Sequence, residues 1–356
     1  MCQSISADFL IIGQGLSGSL LAWTLIQRGS KIVIIDNGQD NASKVAAGLI
    51  NPITGMRFAK ASEVDFLLPA AKTCYRQLEN FFQQAFYHQK PMLRVFRNQH
   101  EAKNCQKRLT QKNYQPYLSK YSEPASANKL FVSSFGAIEQ LNTGFLDTRG
   151  LLNSLTQFFI GKACYLREQF DYSELDLGKT ARWRHIRAKW VIFCEGHQLY
   201  RNPWFNWLPW QALKGEILTL RHQVDFPDSI INFGHWLIPC TQNTVRLGAS
   251  FQRDCLDSAT TTQAKDHLLR SLAQLAPAFA TSIHEHQAGI RLCTIDRQPF
   301  IGSHPLYRQL AIFNGFGAKG SLQIPWYASH FADALMQEKP LLKTCSIQRF
   351  SSNVTG

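Results

Sequence analysis

Three glycines near the start of the chain have the spacing of a dinucleotide-binding turn. Gly13, Gly15 and Gly18 form a G-x-G-x-x-G series, and Asp36 ends the second apolar run after it. In such a turn the first glycine permits a tight bend, the second lets the backbone approach a pyrophosphate, and the third lets a helix pack closely on a strand. The acid is placed to accept hydrogen bonds from a ribose. These residues predict a site for a dinucleotide, either NAD or FAD.

The elements that such a turn requires are present around it. Residues 9–12 form an apolar run typical of a buried strand, residues 16–27 carry apolar side chains at helical spacing, and residues 32–35 form a second apolar run. A helix that begins directly after the turn directs the positive end of its dipole at the pyrophosphate. We therefore include Leu16 and Ser17, which open this helix, among the predicted cofactor contacts.

A second glycine-rich loop, NGFGAKGSLQIP, occupies residues 314–325. It follows an apolar run at residues 310–313 and leads into a segment with helical character. Backbone amides and a positive helix end converge in such a loop, so it can stabilise another negatively charged group. An ordinary helix cap and turn is the alternative. The predicted cofactor contacts of this loop are Gly315, Gly317, Ala318, Lys319 and Gly320.

Length and composition are those of a globular protein with two domains or one elaborate α/β unit. The chain has 356 residues, 45% of them apolar. Nine cysteines without a CxxC pair are typical of a reducing compartment and argue against a disulfide framework or a structural zinc site. We therefore expect a cytoplasmic protein, with peripheral attachment to a membrane left open. Residues 9–27 carry no charge, but their glycines and serines argue against a membrane span.

Two further sequence features have a structural and a functional interpretation. The sequence HEH at residues 284–286 could bind a metal from a strand, but no other ligand cluster is evident, so we predict no metal site. The sequence NPWFNWLPWQ at residues 202–211 could form a membrane or quinone contact, a lid over the substrate, or a packed joint between domains. We favour the joint.

The net charge of +13 is compatible with an anionic partner such as RNA, but also with a soluble protein of high isoelectric point. Positive charge is dense at residues 103–112 (KNCQKRLTQK) and 182–189 (RWRHIRAK). We interpret both as solvated loops or strand edges. Nucleic acid is therefore a secondary expectation.

Several separate segments resemble, in the same order, the D-amino-acid oxidase and glycine oxidase (DAO) family of FAD-dependent oxidoreductases. The resemblance implies an α/β fold in which a Rossmann-like FAD-binding domain is interleaved with an antiparallel-sheet α+β substrate domain. We expect the FAD-binding domain at residues 1–80, 138–205 and 290–356, and the substrate domain at 81–137 and 206–289. The segments are the first glycine turn with Asp36, the small-residue loop 43–48, GFLDTRGLLNSL (144–155), AKWVIFCEG (188–196), LKGEILTL (213–220), AGIRLCTIDRQPFIG (288–302) and NGFGAKGSLQIP.

The resemblance also implies roles for residues outside the first turn. Ala46, Ala47 and Gly48 are small enough to let the chain pass close to something flat or bulky, such as the cofactor, and a plain loop is the alternative. Gly196 ends a strand that lies against FAD in the family. The second glycine loop then lies beside the pyrimidine ring of the flavin, where amides can stabilise the charge of the reduced ring.

Arg291 is the substrate contact that the resemblance implies. In the family this arginine clamps the substrate carboxylate at two points, which suits a planar guanidinium better than a lysine. A structural salt bridge is the alternative for Arg291. This chain departs from the glycine-oxidase pattern at Ala318, where that pattern has a bulky basic residue, and Lys319 follows. The expected substrate contact therefore rests on Arg291 rather than on this loop.

The activity expected from the resemblance is oxidation of the C–N bond of an amino acid or N-substituted glycine. A hydride passes from the α-carbon to the flavin, the imine is hydrolysed, and oxygen or a quinone accepts the electrons. Two alternatives remain open. The GFGAKG loop also resembles the FAD domain of the bifunctional enzyme that oxidises a carboxymethylaminomethyl group on the tRNA wobble uridine. The other alternative is a flavin-binding protein without catalysis.

Overall fold

The structure, a computed structural model, describes residues 4–39, 41–61, 63–123, 130–253 and 255–355. The chain divides into two compact units, each built from separated stretches of sequence. The first unit comprises Met1–Lys44, Thr148–Leu213 and Ile290–Gly356, and the second comprises Val45–Asp147 and Lys214–Gly289.

The helices have the following bounds in chain order: α1 (Leu16–Gln27), α2 (Ala42–Val45), α3 (Val64–Phe82), α4 (Gln99–Leu109), α5 (Thr148–Gly161), α6 (Thr262–Leu275) and α7 (Gly320–Gln337). Short 3-10 segments occupy Lys112–Tyr114, Tyr172–Glu174, Gly196–Arg201, Gly317–Lys319 and Ile347–Thr355. Among the residues that the structure describes, no helix is both long and apolar enough to cross a membrane.

The strands are β1 (Ile5–Ile12), β2 (Ile32–Asp36), β3 (Leu49–Ile50), β4 (Ile53–Thr54), β5 (Ala59–Lys60), β6 (Tyr87–Gln89), β7 (Met92–Val95), β8 (Leu118–Ser122), β9 (Ala137–Gln140), β10 (Gly144–Leu146), β11 (Tyr165–Arg167), β12 (Leu175–Leu177), β13 (Ala181–Trp183), β14 (Ile186–Phe193), β15 (Trp210–His222), β16 (Ile230–Asn232), β17 (Trp236–Thr241), β18 (Thr244–Gly248), β19 (Thr281–Thr294), β20 (Phe300–Ser303) and β21 (Leu310–Asn314).

A mostly parallel sheet forms the centre of the first unit. Strand β1 pairs in parallel with β2 and β14, β2 with β11, and β14 with β21. Antiparallel strands β13 and β20 extend it. The central strands are buried and nearly continuously apolar because a parallel sheet of this kind is covered on both faces. Helix α1 packs against α5 and α7.

A mostly antiparallel sheet, which contains one parallel pair of strands, forms the centre of the second unit. The order of its described strands is β19-β15-β18-β17-β16-β7-β9-β8. Among the described neighbours whose register is known, β16 and β7 run parallel and the others run antiparallel. Alternate residues of β15, including Leu218 and Leu220, pack against Leu268 and Leu272 of α6. The two sheets agree with the predicted fold class.

The compact units differ from the expected domain boundaries at three places. Residues 206–213 were expected with the second unit, but they belong to the first. Residues 45–80 and 138–147 were expected with the first unit, but they belong to the second. The reason is strand pairing, since β10 pairs with both β3 and β6 in a small antiparallel sheet. This pairing ties both stretches to the strands that follow α3.

One of the two charge-dense segments was predicted wrongly. Residues 103–112 were expected as a solvated loop or strand edge, but most of them lie in α4. Asn98 caps this helix by accepting a hydrogen bond from the amide of Glu101 at 2.9 Å. Residues 182–189, by contrast, lie in β13, β14 and the turn that joins them.

The tryptophan-rich stretch packs on the core of the first unit. Trp204 stacks on Phe193 with ring centroids 5.6 Å apart, and the ring of Trp210 lies edge-on to that of Phe300 at 4.8 Å. The HEH sequence lies on β19, where His286 Nε2 is 2.8 Å from a carboxylate oxygen of Glu216. The described residues contain no cluster of side chains able to hold a metal ion.

Candidate cofactor site

The first glycine turn joins β1 to α1, and two of its glycines are required by close backbone contacts. Gly13 has φ +100°, and a Cβ there would lie 2.6 Å from the carbonyl oxygen of Cys194 on the neighbouring chain segment. A Cβ on Gly18 would lie 1.9 Å from the carbonyl oxygen of Gly13. Neither position has room for a side chain, so the turn brings the start of α1 directly against the ends of the central strands.

The amides that open α1 lie at this turn. Gly15 is the N-cap residue, and the first helical bond runs from the amide of Ser19 to its carbonyl oxygen at 2.9 Å. The amides of Leu16, Ser17 and Gly18 have no acceptor within the helix. In this structure the Leu16 amide donates to Ser43 Oγ at 3.0 Å. Ser43 is therefore a polar neighbour of the turn that the sequence pattern did not single out.

Asp36 ends β2 beside the turn, as predicted. Its Oδ2 accepts a hydrogen bond from the amide of Gln14 and its Oδ1 accepts one from the amide of Gly38, both at 2.7 Å. A carboxylate offers about four acceptor sites, so each oxygen retains capacity for a ribose hydroxyl. Asp36 thus fixes the turn and can still accept from a ligand.

Gly196 follows the end of β14 and has φ +56°, while a Cβ on it would meet no atom within 4 Å. The positive φ at position 196, rather than crowding by other protein atoms, therefore favours glycine there. The carbonyl oxygen of Gly196 accepts a hydrogen bond from Asn314 Nδ2 at 3.1 Å. Asn314 Oδ1 in turn accepts from the amide of Gly315 at 2.8 Å. One asparagine thus connects this strand end to the second glycine loop, a role that the sequence analysis missed.

The second glycine loop runs from the end of β21 into α7. Gly315 has φ +86°, and a Cβ there would lie 2.8 Å from Thr294 Cγ2. Gly317 has φ +54°, and a Cβ there would lie 3.0 Å from Cys293 Sγ. Ala318 lies in the 3-10 segment, Lys319 is the N-cap residue of α7, and Gly320 is its first residue. The loop is therefore packed closely on the end of β19, and the opening amides of α7 lie beside it.

Arg291 lies on β19, on the face away from the core of the first unit. Ile290 and Leu292 belong to that core, so Arg291 and Cys293 lie on the opposite face because side chains alternate along a strand. Cys293 lies next to Gly317 of the second glycine loop, where it would crowd an added Cβ. Burial lowers the pKa of the Arg291 guanidinium, and the nearby Cys293 thiol raises it by less. The arginine is thus a desolvated cation on the strand that supports the loop.

The small-residue loop lies in the second unit. Gly48 has φ +67°, and a Cβ there would lie 1.9 Å from the carbonyl oxygen of Leu146. Arg246 Nη1 donates to the carbonyl oxygen of Ala46 at 2.9 Å. Ala47 packs against a small apolar cluster that contains Ile238. The three predicted cofactor residues Ala46, Ala47 and Gly48 are therefore fixed by strands of their own unit.

A family model described as FAD dependent oxidoreductase (DAO) matches residues 8–334. The chain belongs to the DAO family. This DAO enzyme is accordingly an FAD-dependent oxidoreductase, and the predictions of family, fold class and cofactor are confirmed. Among solved structures, glycine oxidase from Geobacillus kaustophilus is similar with a TM-score of 0.82 at 18% identity over 95% of this chain and 96% of that one. Iminodiacetate oxidase from Chelativorans sp. BNC1 gives 0.79 at 21% identity over 95% and 99%.

The curated relatives of the DAO enzyme that match over nearly all of it are longer proteins. The tRNA 5-methylaminomethyl-2-thiouridine biosynthesis bifunctional protein of Marinobacter nauticus is 24% identical over 369 residues, which cover 94% of this chain and 56% of the relative. The protein of the same name from Idiomarina loihiensis is 24% identical over 97% of this chain and 58% of its own length. The DAO enzyme therefore spans a little over half the length of these relatives.

The residues of the first unit fit FAD. Gly13 and Gly18 leave no room for side chains at the turn, the opening amides of α1 suit a pyrophosphate, and Asp36 retains acceptor capacity for a ribose. The second glycine loop offers amides and the positive end of α7 to a further charged group. The first turn thus has the features that suit a pyrophosphate, and the second loop has those that suit a charged ring.

Proposed function

We propose that this DAO enzyme oxidises the C–N bond of an N-substituted glycine or another amino acid. Bound FAD supplies the hydride acceptor. The α-carbon of the substrate loses a hydride and the amine loses a proton, which leaves an imine. Water then hydrolyses the imine to a carbonyl compound and an amine.

The observation that carries this proposal is the position of Arg291 beside the second glycine loop. Arg291 lies on the same strand face as Cys293, and Cys293 Sγ would lie 3.0 Å from a Cβ on Gly317. A buried guanidinium can bind a carboxylate through two parallel hydrogen bonds. In the proposal, Arg291 holds the substrate carboxylate while the loop positions the flavin, so that the α-carbon is oriented for hydride loss. Positioning of this kind accounts for most of the rate enhancement, because no separate acid–base pair is needed for the hydride.

A second candidate function uses the same bond in a larger substrate. The relatives that cover 94–97% of the chain carry the name of a tRNA biosynthesis protein. A carboxymethylaminomethyl group on a wobble uridine is itself an N-substituted glycine, so Arg291 would hold its carboxylate in the same way. This observation favours tRNA as the carrier of the substrate group.

The test is the visible spectrum of the FAD-loaded protein, followed without oxygen as substrates are added. Sarcosine, glycine, iminodiacetate, proline, both enantiomers of several amino acids and tRNA carrying the carboxymethylaminomethyl group should be compared. We expect the flavin absorption to bleach with an N-substituted glycine, free or attached to tRNA. Readmission of oxygen or a soluble quinone then identifies the acceptor by the return of the absorption.

Each outcome separates the candidates. Bleaching by a free N-substituted glycine supports the first candidate, and bleaching by the modified tRNA alone supports the second. Bound FAD that no carboxylated amine reduces would overturn both and favour a flavin-binding protein without catalysis. N-methylethylamine, which is sarcosine with a methyl group in place of the carboxylate, is the matched control, since the proposal requires the carboxylate.

A further inference from the structure

We propose that the exposed face of α4 and the turn beside it bind the phosphate backbone of RNA. This basic face consists of Arg57, Lys103, Lys107 and Lys112, all of them exposed. The inference rests on the tRNA candidate of the proposed function and adds to it the surface that would bind the RNA. All four residues belong to the second unit.

Lys103 and Lys107 lie on one side of α4. They are four residues apart, so their side chains project from the same face about 6 Å apart along the axis. The buried residues of the helix, Ala102 and Cys105, define the other side. Two like charges at this spacing slightly destabilise a helix. An external anion would compensate for that repulsion.

The acidic residue of α4 does not neutralise this face. Glu101 is buried and its carboxylate pairs with the guanidinium groups of both Arg94 and Arg97. In the described stretches of the chain, no carboxylate oxygen lies within 4.0 Å of a side-chain nitrogen of Lys103 or Lys107. The same holds for Arg57 and Lys112, again among described residues. The positive charge of the face is therefore available to a partner.

The turn between β4 and β5 extends the basic face. Arg108 Nε donates to the carbonyl oxygen of Arg57 at 3.4 Å, and Asn104 Nδ2 donates to that of Met56 at 3.2 Å. These bonds fix the turn on α4. Lys112 follows in the 3-10 segment that packs against the end of the helix. The β4–β5 turn, α4 and the 3-10 segment thus all contribute positive charge to the basic face.

RNA fits this face better than a membrane does. Among the described residues of α4 and of the turn beside it, only Met56 is a large exposed apolar side chain. One such side chain does not form the apolar face that an interfacial membrane helix buries. Counterion release by lysines and arginines is the main source of affinity for a phosphate backbone and requires no base-specific contact. The face therefore predicts RNA affinity that depends strongly on salt and weakly on sequence.

The experiment compares two triple variants of the full, FAD-loaded chain. K103Q/K107Q/K112Q removes three charges from the basic face, while the matched control K179Q/R187Q/R308Q removes three exposed charges from the first unit. The probe is a fluorescently labelled RNA stem-loop, titrated at several salt concentrations. We expect the first variant to bind about 100-fold more weakly at 0.1 M salt and its log–log salt slope to fall by about 2, while the control stays close to the parent protein.

An equal loss in both variants would overturn the inference, because net charge rather than this face would then explain binding. So would the absence of RNA binding by the parent protein at low salt, or tight binding to phosphatidylserine vesicles that RNA does not compete for. Bleaching of the flavin by sarcosine and by tRNA that carries the carboxymethylaminomethyl group is measured in parallel. Bleaching without RNA binding would remove the inference and leave the C–N oxidation standing, whereas RNA binding without any bleaching would do the reverse.

Discussion

The hydroxyl of Tyr172 donates a hydrogen bond of 2.6 Å to Oε1 of Glu195, the residue that precedes Gly196 at the end of β14. Oε2 of the same carboxyl group accepts from Asn202 Nδ2 at 2.9 Å. Asn202 Oδ1 also accepts from the amide of Trp204 at 2.9 Å. Glu195 thus anchors the loop that leaves the cofactor sheet, although neither the glycine pattern nor the family resemblance singled it out.

This carboxyl group predicts a pH-dependent stability. Burial raises the pKa of Glu195 to about 7, and the hydrogen bonds from Tyr172 and Asn202 lower it by less. The folded chain therefore binds this proton more tightly than the unfolded chain, in which the pKa is near 4.5. Stability contributed by Glu195 is full below about pH 4.5, declines as the pH rises to about 7, and is absent above it.

The variant Glu195→Gln tests this prediction because it mimics the protonated carboxyl group at every pH. Thermal unfolding of the parent and the variant, both saturated with FAD, is measured between pH 5 and pH 9. We expect similar Tm values near pH 5 and a higher Tm for the variant at pH 8 to 9. A Tm difference that does not change with pH would contradict the raised pKa.

The first glycine turn predicts a sharp contrast between two glycine-to-alanine variants. Gly18→Ala places a Cβ 1.9 Å from the carbonyl oxygen of Gly13, so the turn must open and FAD should be lost. Gly29→Ala is the control, since Gly29 has φ +81° but no atom within 4 Å of the added Cβ. It should cost about 1–2 kcal/mol and retain FAD. The measurement is flavin absorbance per protein after gel filtration, and FAD retention by Gly18→Ala would refute the assignment of this turn.

Local patterns in the sequence predicted the first turn and its flanking elements closely. The predicted helix at residues 16–27 agrees with α1 (Leu16–Gln27), because a glycine turn precedes it and Arg28-Gly29 ends it. Helix α4 was missed since it has few apolar residues and its Glu101 is buried through pairing with arginines rather than through hydrophobicity. Its pattern therefore resembled that of a solvated loop.

Contacts between distant residues were beyond a single sequence. The bond from Asn314 to Gly196 joins residues 118 positions apart, and no local periodicity encodes it. The pairing of β10 with β3 and β6, which changes the boundary between the units, is non-local in the same way. The glycines of the site were predictable because their requirement is conformational and local. Their polar supports required the fold.

The stability of the second unit should be sensitive to the removal of one partner from the buried pair of Arg94 and Glu101. The side chains of Arg94 and Glu101 are 5% and 1% exposed, and the guanidinium of Arg94 also lies 4.1 Å from the ring centroid of Phe58. Glu101→Ala leaves a buried cation without its counterion, so unfolding should become easier by about 3–5 kcal/mol. The midpoint of urea unfolding, followed by far-UV circular dichroism, measures this.

A paired apolar replacement is the control for that variant. Arg94→Met combined with Glu101→Leu removes both charges, so it should recover much of the loss that Glu101→Ala causes. If the double variant unfolds as early as the single one, packing of these side chains rather than an uncompensated charge explains the effect.

Arg291 provides the most direct test of the proposed chemistry. Arg291→Met removes the guanidinium but keeps an unbranched side chain, so FAD should stay bound while KM for a carboxylated amine rises. Loss of hydrogen bonds to a charged group, at about 1.5–3 kcal/mol, corresponds to roughly 10- to 150-fold in kcat/KM. Arg291→Lys should recover only part of the lost kcat/KM, because an ammonium group cannot form two parallel bonds to a carboxylate.

The comparison uses steady-state kinetics with sarcosine and with N-methylethylamine, which lacks the carboxylate. A clamp predicts that Arg291→Met lowers kcat/KM for sarcosine toward the low residual value for N-methylethylamine, and that it leaves this residual value almost unchanged. Equal losses for both amines, or loss of FAD, would instead assign Arg291 a structural role on β19.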